Sequence, residues 1–194
     1  LSEGNEQPKF KNGTFKTRSD TLIENVISVF PDKGDMLDIG TGYGVFIRSF
    51  GKHFTKWNLY GFDLNDKFKN QIKGIQGVKD FYHGKLSNIK KKFDLVSCVL
   101  VLQHVNSPTT FIGNIKNLLK EDGFLLLQVP NLDEGIFDVL IFDQISHFTR
   151  KTIHDFCEKN FNSICMPDAQ IPRETTLLLS QSDNFYFSVE HQKQ

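Results

Sequence analysis

Three cysteines in 194 residues, Cys98, Cys157 and Cys165, are too few and odd in number for a disulfide framework. Near the start no stretch shows the basic-then-apolar order of a secretory signal, so a reducing, cytoplasmic setting is expected. Apolar runs all fall short of the ~20 residues that a membrane-spanning helix needs, and a soluble chain without a membrane partner is expected. Neither sign of charge prevails: 23 Lys and Arg balance 23 Asp and Glu, a field with no pull on a nucleic-acid backbone. The lysines between Lys67 and Lys92 can touch phosphate or form a solvated face, and the second reading is the simpler. No His/Cys cluster has metal-ligand spacing, and Asp133, Asp138 and Asp143 are too scattered to define an ion site. What remains as a partner is a small molecule; the oligomeric state is open.

Phenylalanine is plentiful, at 19 residues, which fits core filling better than an aromatic ligand platform. The length suits one domain. Residues 1–18 are polar, Lys- and Asn-rich and without periodicity, a frayed or partner-dependent leader. Residues 19–185 form the domain and 186–194 a tail. Within the domain a helix is predicted from the capping-box spacing of Thr21 and Glu24 and the stripe Leu22, Ile23, Val26, Ile27 and Phe30.

Short apolar runs then alternate with helical patterns, from "MLDIG" through "WNLYGFD", "VKDFYHG" and "FDLVSCV" to "GFLLLQVP", the signature of βαβ units around a parallel sheet. "SPTTFIGNIKNLL" reads as a helix, with Ser107 placed to cap it, Pro108 in its first turn and Gly123 as its stop. The segment 131–149 is too long for an ordinary connector and is a candidate lid. "NSICMPD" and "TTLLLSQ" can pair as an antiparallel edge.

The most informative stretch is "MLDIGTGYGVFIRSF", where a strand ends in Asp38 and glycines follow at positions 40, 42 and 44 before a helix. In open parallel sheets such a first βα turn forms the floor of a ligand site. Glycine lets another molecule approach the backbone, and the following helix points free N–H groups at it. The dinucleotide fingerprint G-x-G-x-x-G places its third glycine three residues after the second; here the interval is two, and Val45 stands where that glycine would be. A carboxylate beside the turn repels a diphosphate and attracts an ammonium group, so the ligand is expected to carry a cation.

"DIGTGYG", "LYGFD", "FDLVSCVLVLQHV" and "LLKEDGFLLLQVPN", in that order, resemble the class I S-adenosylmethionine-dependent methyltransferases over roughly residues 20 to 182. The resemblance implies a Rossmann-like α/β fold, a mostly parallel seven-stranded sheet flanked by helices with the final strand antiparallel, and S-adenosylmethionine as cofactor. It assigns the methionine part of the cofactor to Asp38, Gly40, Thr41, Gly42 and Gly44, and the ribose hydroxyls to Asp63, with Leu64 beside it. Read alone, Asp63 has a second, less favoured reading as the cap of the helix expected to begin with Asn65. Lys85 and Leu86 fall in "HGKLSNI", the adenine-flanking segment, and Cys98 in "FDLVSCV" is a further candidate for cofactor binding. The family often has an aspartate where Lys85 stands and a glutamate where Gln103 stands.

Two histidines are candidate bases for a hydroxyl acceptor. His104 follows the fourth strand of the parallel set, where the family commonly has histidine; it can act as a base or brace the cofactor loop. His147 lies in the lid segment, where "DQISHFT" resembles family members acting on small molecules, sugars included, with Asp143 as the matching acid and Gln144 in place of the usual histidine. Motifs of nucleobase methylases are absent after that strand. The expectation is methyl transfer to a hydroxyl or amine of a small polar metabolite, with a sugar or surface-polysaccharide precursor favoured by analogy. Its rivals are a catalytically silent cofactor-binding module and an NAD-dependent oxidoreductase.

Overall fold

The computed structural model describes residues 9–11, 14–167 and 171–183. Part of the expected leader is paired: β1 (Lys9–Lys11) and β2 (Thr14–Lys16) form an antiparallel ladder with Phe10 opposite Phe15. Residues 1–8 and the expected tail lie outside the described residues. α1 (Arg18–Glu24) begins one turn earlier than the Thr21 spacing predicts. Thr17 is its N-cap, accepting from the Asp20 backbone N–H at 3.0 Å, while the Asp20 carboxylate reaches back to the Thr17 amide at 3.4 Å. A Thr-x-x-Asp box does what Thr-x-x-Glu was expected to do, and Thr21 is by then inside the helix, donating to the Thr17 carbonyl.

The alternation of apolar runs and helices becomes β3 (Asp35–Ile39), α2 (Val45–His53), β4 (Asn58–Asp63), α3 (Lys69–Lys73), β5 (Val78–His83), β6 (Phe93–Val99), α4 (Pro108–Leu118), β7 (Leu119–Pro130), α5 (Arg150–Glu158), β8 (Ser163–Cys165) and β9 (Glu174–Ser180). Seven strands make one sheet in the order β5-β4-β3-β6-β7-β9-β8, in which β9 alone runs antiparallel to its neighbours. The expected edge pairing of the last two runs is present, as β8 with β9. Strand order reverses between β3 and β6, so the crevice beyond their carboxyl ends is where such a sheet binds ligands.

α4 ends at Leu118, five residues before the expected stop at Gly123. Leu119 already pairs with Phe93, and the ladder then slips so that Leu95 faces Phe124. Gly123 serves this bulge: a Cβ there would lie 2.9 Å from the Phe93 carbonyl oxygen. Ser107 makes no side-chain bond to the helix backbone and donates instead to the Thr110 hydroxyl at 2.9 Å.

Both faces of the sheet are covered, which is why Leu125–Leu127 and Leu177–Leu179 read as unbroken apolar runs. One face packs Leu37, Val96, Leu127 and Leu177 against Ile112 and Ile115 of α4 and Ile153 of α5. On the other, Met36, Leu95 and Leu126 meet Leu22 and Ile23 of α1 and Phe46 and Phe50 of α2. Phenylalanines fill this second core as expected: Phe50 stacks on Phe54 at 4.4 Å, with Phe30 and Trp57 edge-on nearby. Each such side chain contributes about 1.5–3 kcal/mol through burial.

Candidate active site

The chain leaves β3 through a turn stitched to the end of β4. Gly40, Gly42 and Gly44 have φ of 72°, 49° and 80°. The amides of Gly40 and Thr41 both donate to the Phe62 carbonyl, at 2.9 and 3.1 Å. Thr41 Oγ1 donates to the Asp38 carbonyl at 2.6 Å and accepts from the Phe62 amide at 3.0 Å, so Thr41 is a structural pin of the turn and is buried. Gly40 has no room for a side chain, since a Cβ would come within 2.4 Å of Val101 Cγ2; at Gly42 a Cβ would meet only the Gly40 oxygen, at 3.9 Å. The turn is closed towards the protein at Gly40 and open at Gly42, which is the side a ligand can approach. α2 follows with Gly44 as its N-cap and no side-chain cap, leaving its first-turn N–H groups directed at the same space.

Two carboxylates flank the turn. Asp63, at the end of β4, accepts from the Gly42 amide at 3.0 Å and from its neighbour Leu64 at 2.7 Å. It is half-buried, held in place, and not used as a helix cap. Asp38 is 3 % exposed and accepts from the Ser97 hydroxyl of β6 at 2.8 Å. Burial pushes its carboxyl up to about 7; the Ser97 bond opposes the rise and the Asp63 charge adds to it. Asp38 therefore sits under the turn, and a cation bound nearby would restore its charge.

The adenine-side residues divide. Leu64 is 78 % exposed, an apolar side chain free to cover a planar ring, and Lys85 is exposed two residues past the end of β5, whose last residue His83 pairs with Asp63. Leu86 and Cys98 belong to the core, 6 % and 0 % exposed; burial also drives the Cys98 thiol well above its usual range. The Cys98 side chain packs in the core cluster with Val96 and Leu127.

Beyond β6 the chain turns sharply. Leu100 has φ of 56°, a left-handed conformation uncommon for leucine, with its amide bonded to the Gln128 carbonyl at 2.9 Å. The 3-10 turn Leu102–His104 follows. Gln103 is buried and donates through Nε2 to the Leu100 carbonyl at 2.9 Å, with His104 Nε2 at 3.2 Å. His104 Nδ1 lies 2.7 Å from the Asp143 carbonyl, so Nδ1 carries the proton and Nε2 the lone pair. The segment 131–149 is thereby tied to the turn after β6, with the amides of Ile145 and Ser146 also donating to the Gln103 carbonyl, at 2.8 and 3.0 Å. His147 is exposed and has no hydrogen-bond partner among the described residues.

Sequence reasoning missed Ser97, Leu100 and the burial of Gln103. Ser97 was detectable only through the register that sets it opposite Asp38. The single cluster of metal-ligating type among the described residues, His154, Asp155 and Glu158, lies on α5 away from these residues in the fold's element order.

The donor set fits a zwitterionic adenosyl-sulfur ligand: glycine amides and a helix N-terminus, an acceptor carboxylate at the neighbouring strand end, and a second carboxyl beneath. Strand order and turn together define a class I S-adenosylmethionine-dependent methyltransferase. The chain belongs to the family described as "Methyltransferase domain", whose model matches residues 15–166.

Among curated relatives, the ubiquinone biosynthesis O-methyltransferase of Glaesserella parasuis is 33 % identical over 81 residues, 41 % of this chain and 34 % of that protein. A protein of the same description from Actinobacillus pleuropneumoniae serotype 5b is 35 % identical over 166 residues, 75 % of this chain and 69 % of that protein. A tRNA U34 carboxymethyltransferase of Helicobacter pylori is 26 % identical over 80 % of this chain and 69 % of its own length. The chain thus spans about a third to about two thirds of these relatives. Of solved structures, an S-adenosylmethionine-dependent methyltransferase from Clostridium acetobutylicum shares the fold with TM-score 0.63 at 16 % identity, over 84 % of this chain and 91 % of that one. A plantazolicin methyltransferase does so with TM-score 0.66 at 15 % identity, over 84 % and 82 %.

Proposed function

We propose that this protein transfers the methyl group of S-adenosylmethionine to a hydroxyl, or less favourably an amine, of a small acceptor. The observation that carries the reading is the glycine turn bonded through Gly42 to Asp63 across two adjacent parallel strand ends. Bound S-adenosylmethionine supplies a methyl on a sulfonium that needs no further activation. What the chain must add is binding, alignment, exclusion of water and a place for the acceptor's proton.

Asp63 holds the ribose end and the glycine turn the methionine end. Asp63→Ala is expected to weaken S-adenosylhomocysteine binding by about 1–3 kcal/mol, because two ligand hydroxyls lose a charged acceptor. Calorimetry checks this, and unchanged affinity removes Asp63 from the site. Lys85, exposed at the end of β5, would border the adenine in place of the family's acid, leaving adenine to the backbone and Leu64.

His104 stands at the carboxyl end of β6 with its Nε2 lone pair facing a donor, Gln103, that a substrate hydroxyl can replace. The acceptor's proton would pass to Nε2, and the resulting imidazolium would be held at Nδ1 by the Asp143 carbonyl, with the Asp143 carboxylate 3.7 Å away. His104→Ala is then expected to cut kcat by about 10²–10⁴-fold with S-adenosylhomocysteine affinity retained. His147→Ala has the smaller effect, since His147 has no orienting partner. Full activity in the His104 variant discards the base and leaves alignment alone.

The relatives are named for ubiquinone biosynthesis and for tRNA, so the expected lean toward a sugar finds no support in them. With no net charge to gather nucleic acid, the small acceptor is the better supported class. The three cysteines are free, in keeping with a reducing, cytoplasmic location. The test is a screen of phenols, polyols, amines and tRNA for label transferred from methyl-tritiated cofactor. Label on a small hydroxyl compound supports the proposal and ends the silent-module reading; label on tRNA alone overturns the acceptor class.

A further inference from the structure

Of the ten large apolar side chains that stand exposed among the described residues, seven fall between Ile136 and Ile145. Phe137, Leu140 and Phe142 are 76 %, 77 % and 104 % exposed, so they project free of their neighbours. This is not a loose loop. A 3-10 helix, Ile136–Leu140, is continued by bonds from the Ile141 amide to Asp138 and from the Gln144 amide to Ile141, each 3.1 Å.

Two acids of the segment, Glu134 and Asp138, are clasped by cations from elsewhere in the chain. Arg173 Nη2 donates to Asp138 Oδ1 at 2.7 Å, and the Arg173 amide donates to Glu134 Oε2 at 2.8 Å. Arg150 lies 3.4 Å from the other Glu134 oxygen, and Asp143 is 3.7 Å from His104. Gly135 makes room for this clasp, since a Cβ there would lie 2.6 Å from Asp138 Oδ2. The result is a ridge with two ion pairs at its base and a crest rich in exposed hydrocarbon, in which Asp143 is the exposed acid.

We propose that this ridge docks the protein on a lipid surface by inserting its apolar crest among the acyl chains. Three observations favour lipid over a second copy of the chain. Side chains that stand almost wholly free form a convex crest, which a fluid phase can close around and a folded partner can cover only with a matching groove. The other exposed large apolar side chains, Ile27, Tyr43 and Leu64, come singly from three separate segments and offer no such groove among the described residues. Two of the segment's acids, Glu134 and Asp138, are matched by Arg150 and Arg173 of this chain, so these two bring no unmatched charge to an uncharged surface.

Among the described residues no helix is long and apolar enough to cross a membrane, and the expectation of no membrane partner rested on that kind of run. Crossing and resting on a bilayer are different demands. The ridge is anchored through Ile145 and Ser146 to Gln103, so docking would lay the carboxyl edge of β6 beside the lipid. The inference stands whether or not methyl transfer is the reaction.

The test is flotation of the full chain with vesicles of neutral phosphatidylcholine, compared with the triple variant Phe137→Ser, Leu140→Ser, Phe142→Ser. These positions are exposed, and S-adenosylhomocysteine calorimetry on both proteins checks the integrity of the domain. The wild type is expected to float, the variant's partitioning to fall about tenfold or more, and added salt to leave binding intact. A wild type that stays behind, or a variant that floats equally well, overturns the proposal. So does a wild-type dimer in ultracentrifugation that the variant loses while neither floats, which would give the ridge to a second copy. Failure of both proteins to bind S-adenosylhomocysteine would count against the cofactor reading alone.

Discussion

Replacing Gly40 by alanine is expected to destabilise the protein by about 2–5 kcal/mol and to weaken cofactor binding by at least about tenfold. Two costs act together. At φ of 72° a Cβ strains the backbone by about 1–2 kcal/mol, and it would also stand 2.4 Å from Val101 Cγ2, where overpacking adds about 1–3 kcal/mol. Neither partner can yield cheaply. Gly40 is fixed by its amide bond to Phe62, and Val101 leads directly into the turn that carries Gln103 and His104. A displaced Val101 would thus disturb the acceptor side while the glycine turn shifts on the cofactor side. Urea unfolding and S-adenosylhomocysteine calorimetry measure the two effects; a variant unchanged in both would show that the close approach of turn and β6 does not shape the site.

Asp38→Asn is expected to remove a dependence of stability on pH. With its folded pKa raised from 3.8 to about 7, native Asp38 holds a proton that the unfolded chain has released. The native state binds more protons across that window, so stability falls as pH rises from about 4 to about 7. The full shift corresponds to at most roughly 4 kcal/mol. Asparagine keeps an oxygen for the Ser97 hydroxyl and has no charge to bury. The variant should therefore match the wild type near pH 4 and exceed it near pH 8 in unfolding free energy. Cofactor affinity should move the other way at about pH 8, where a carboxylate under the turn attracts the ligand's ammonium group. Parallel pH profiles for the two proteins would mean that Asp38 titrates normally.

The parts of this structure that were legible in advance are those where pattern and physics coincide. Apolar runs buried on both faces gave the parallel strands, and the three glycines marked a turn that only positive φ permits. Asp63 was readable because a βαβ unit fixes the distance from one strand end to the next. Other features depend on register. Asp38 needed Ser97 opposite it before its burial made sense, and Cys98, one residue on, alternates to the far face and into the core. Gly123 looks like a helix stop in sequence but is a bulge, because Leu119 had already found Phe93. Thr17 and Thr21 offer the same capping spacing, and the chain uses the first. The crest of the 131–149 segment was hidden for a simpler reason: its apolar residues look like core until the fold shows them facing outward.

The central claim is that the ends of β3 and β4 hold an adenosyl-sulfur ligand. Calorimetric titration of the wild type and Asp63→Ala with S-adenosylhomocysteine, and of the wild type with NAD, tests it directly. Saturable binding of S-adenosylhomocysteine that the substitution weakens, with no heat from NAD, is the result expected. Binding of NAD by a protein indifferent to S-adenosylhomocysteine would contradict the account.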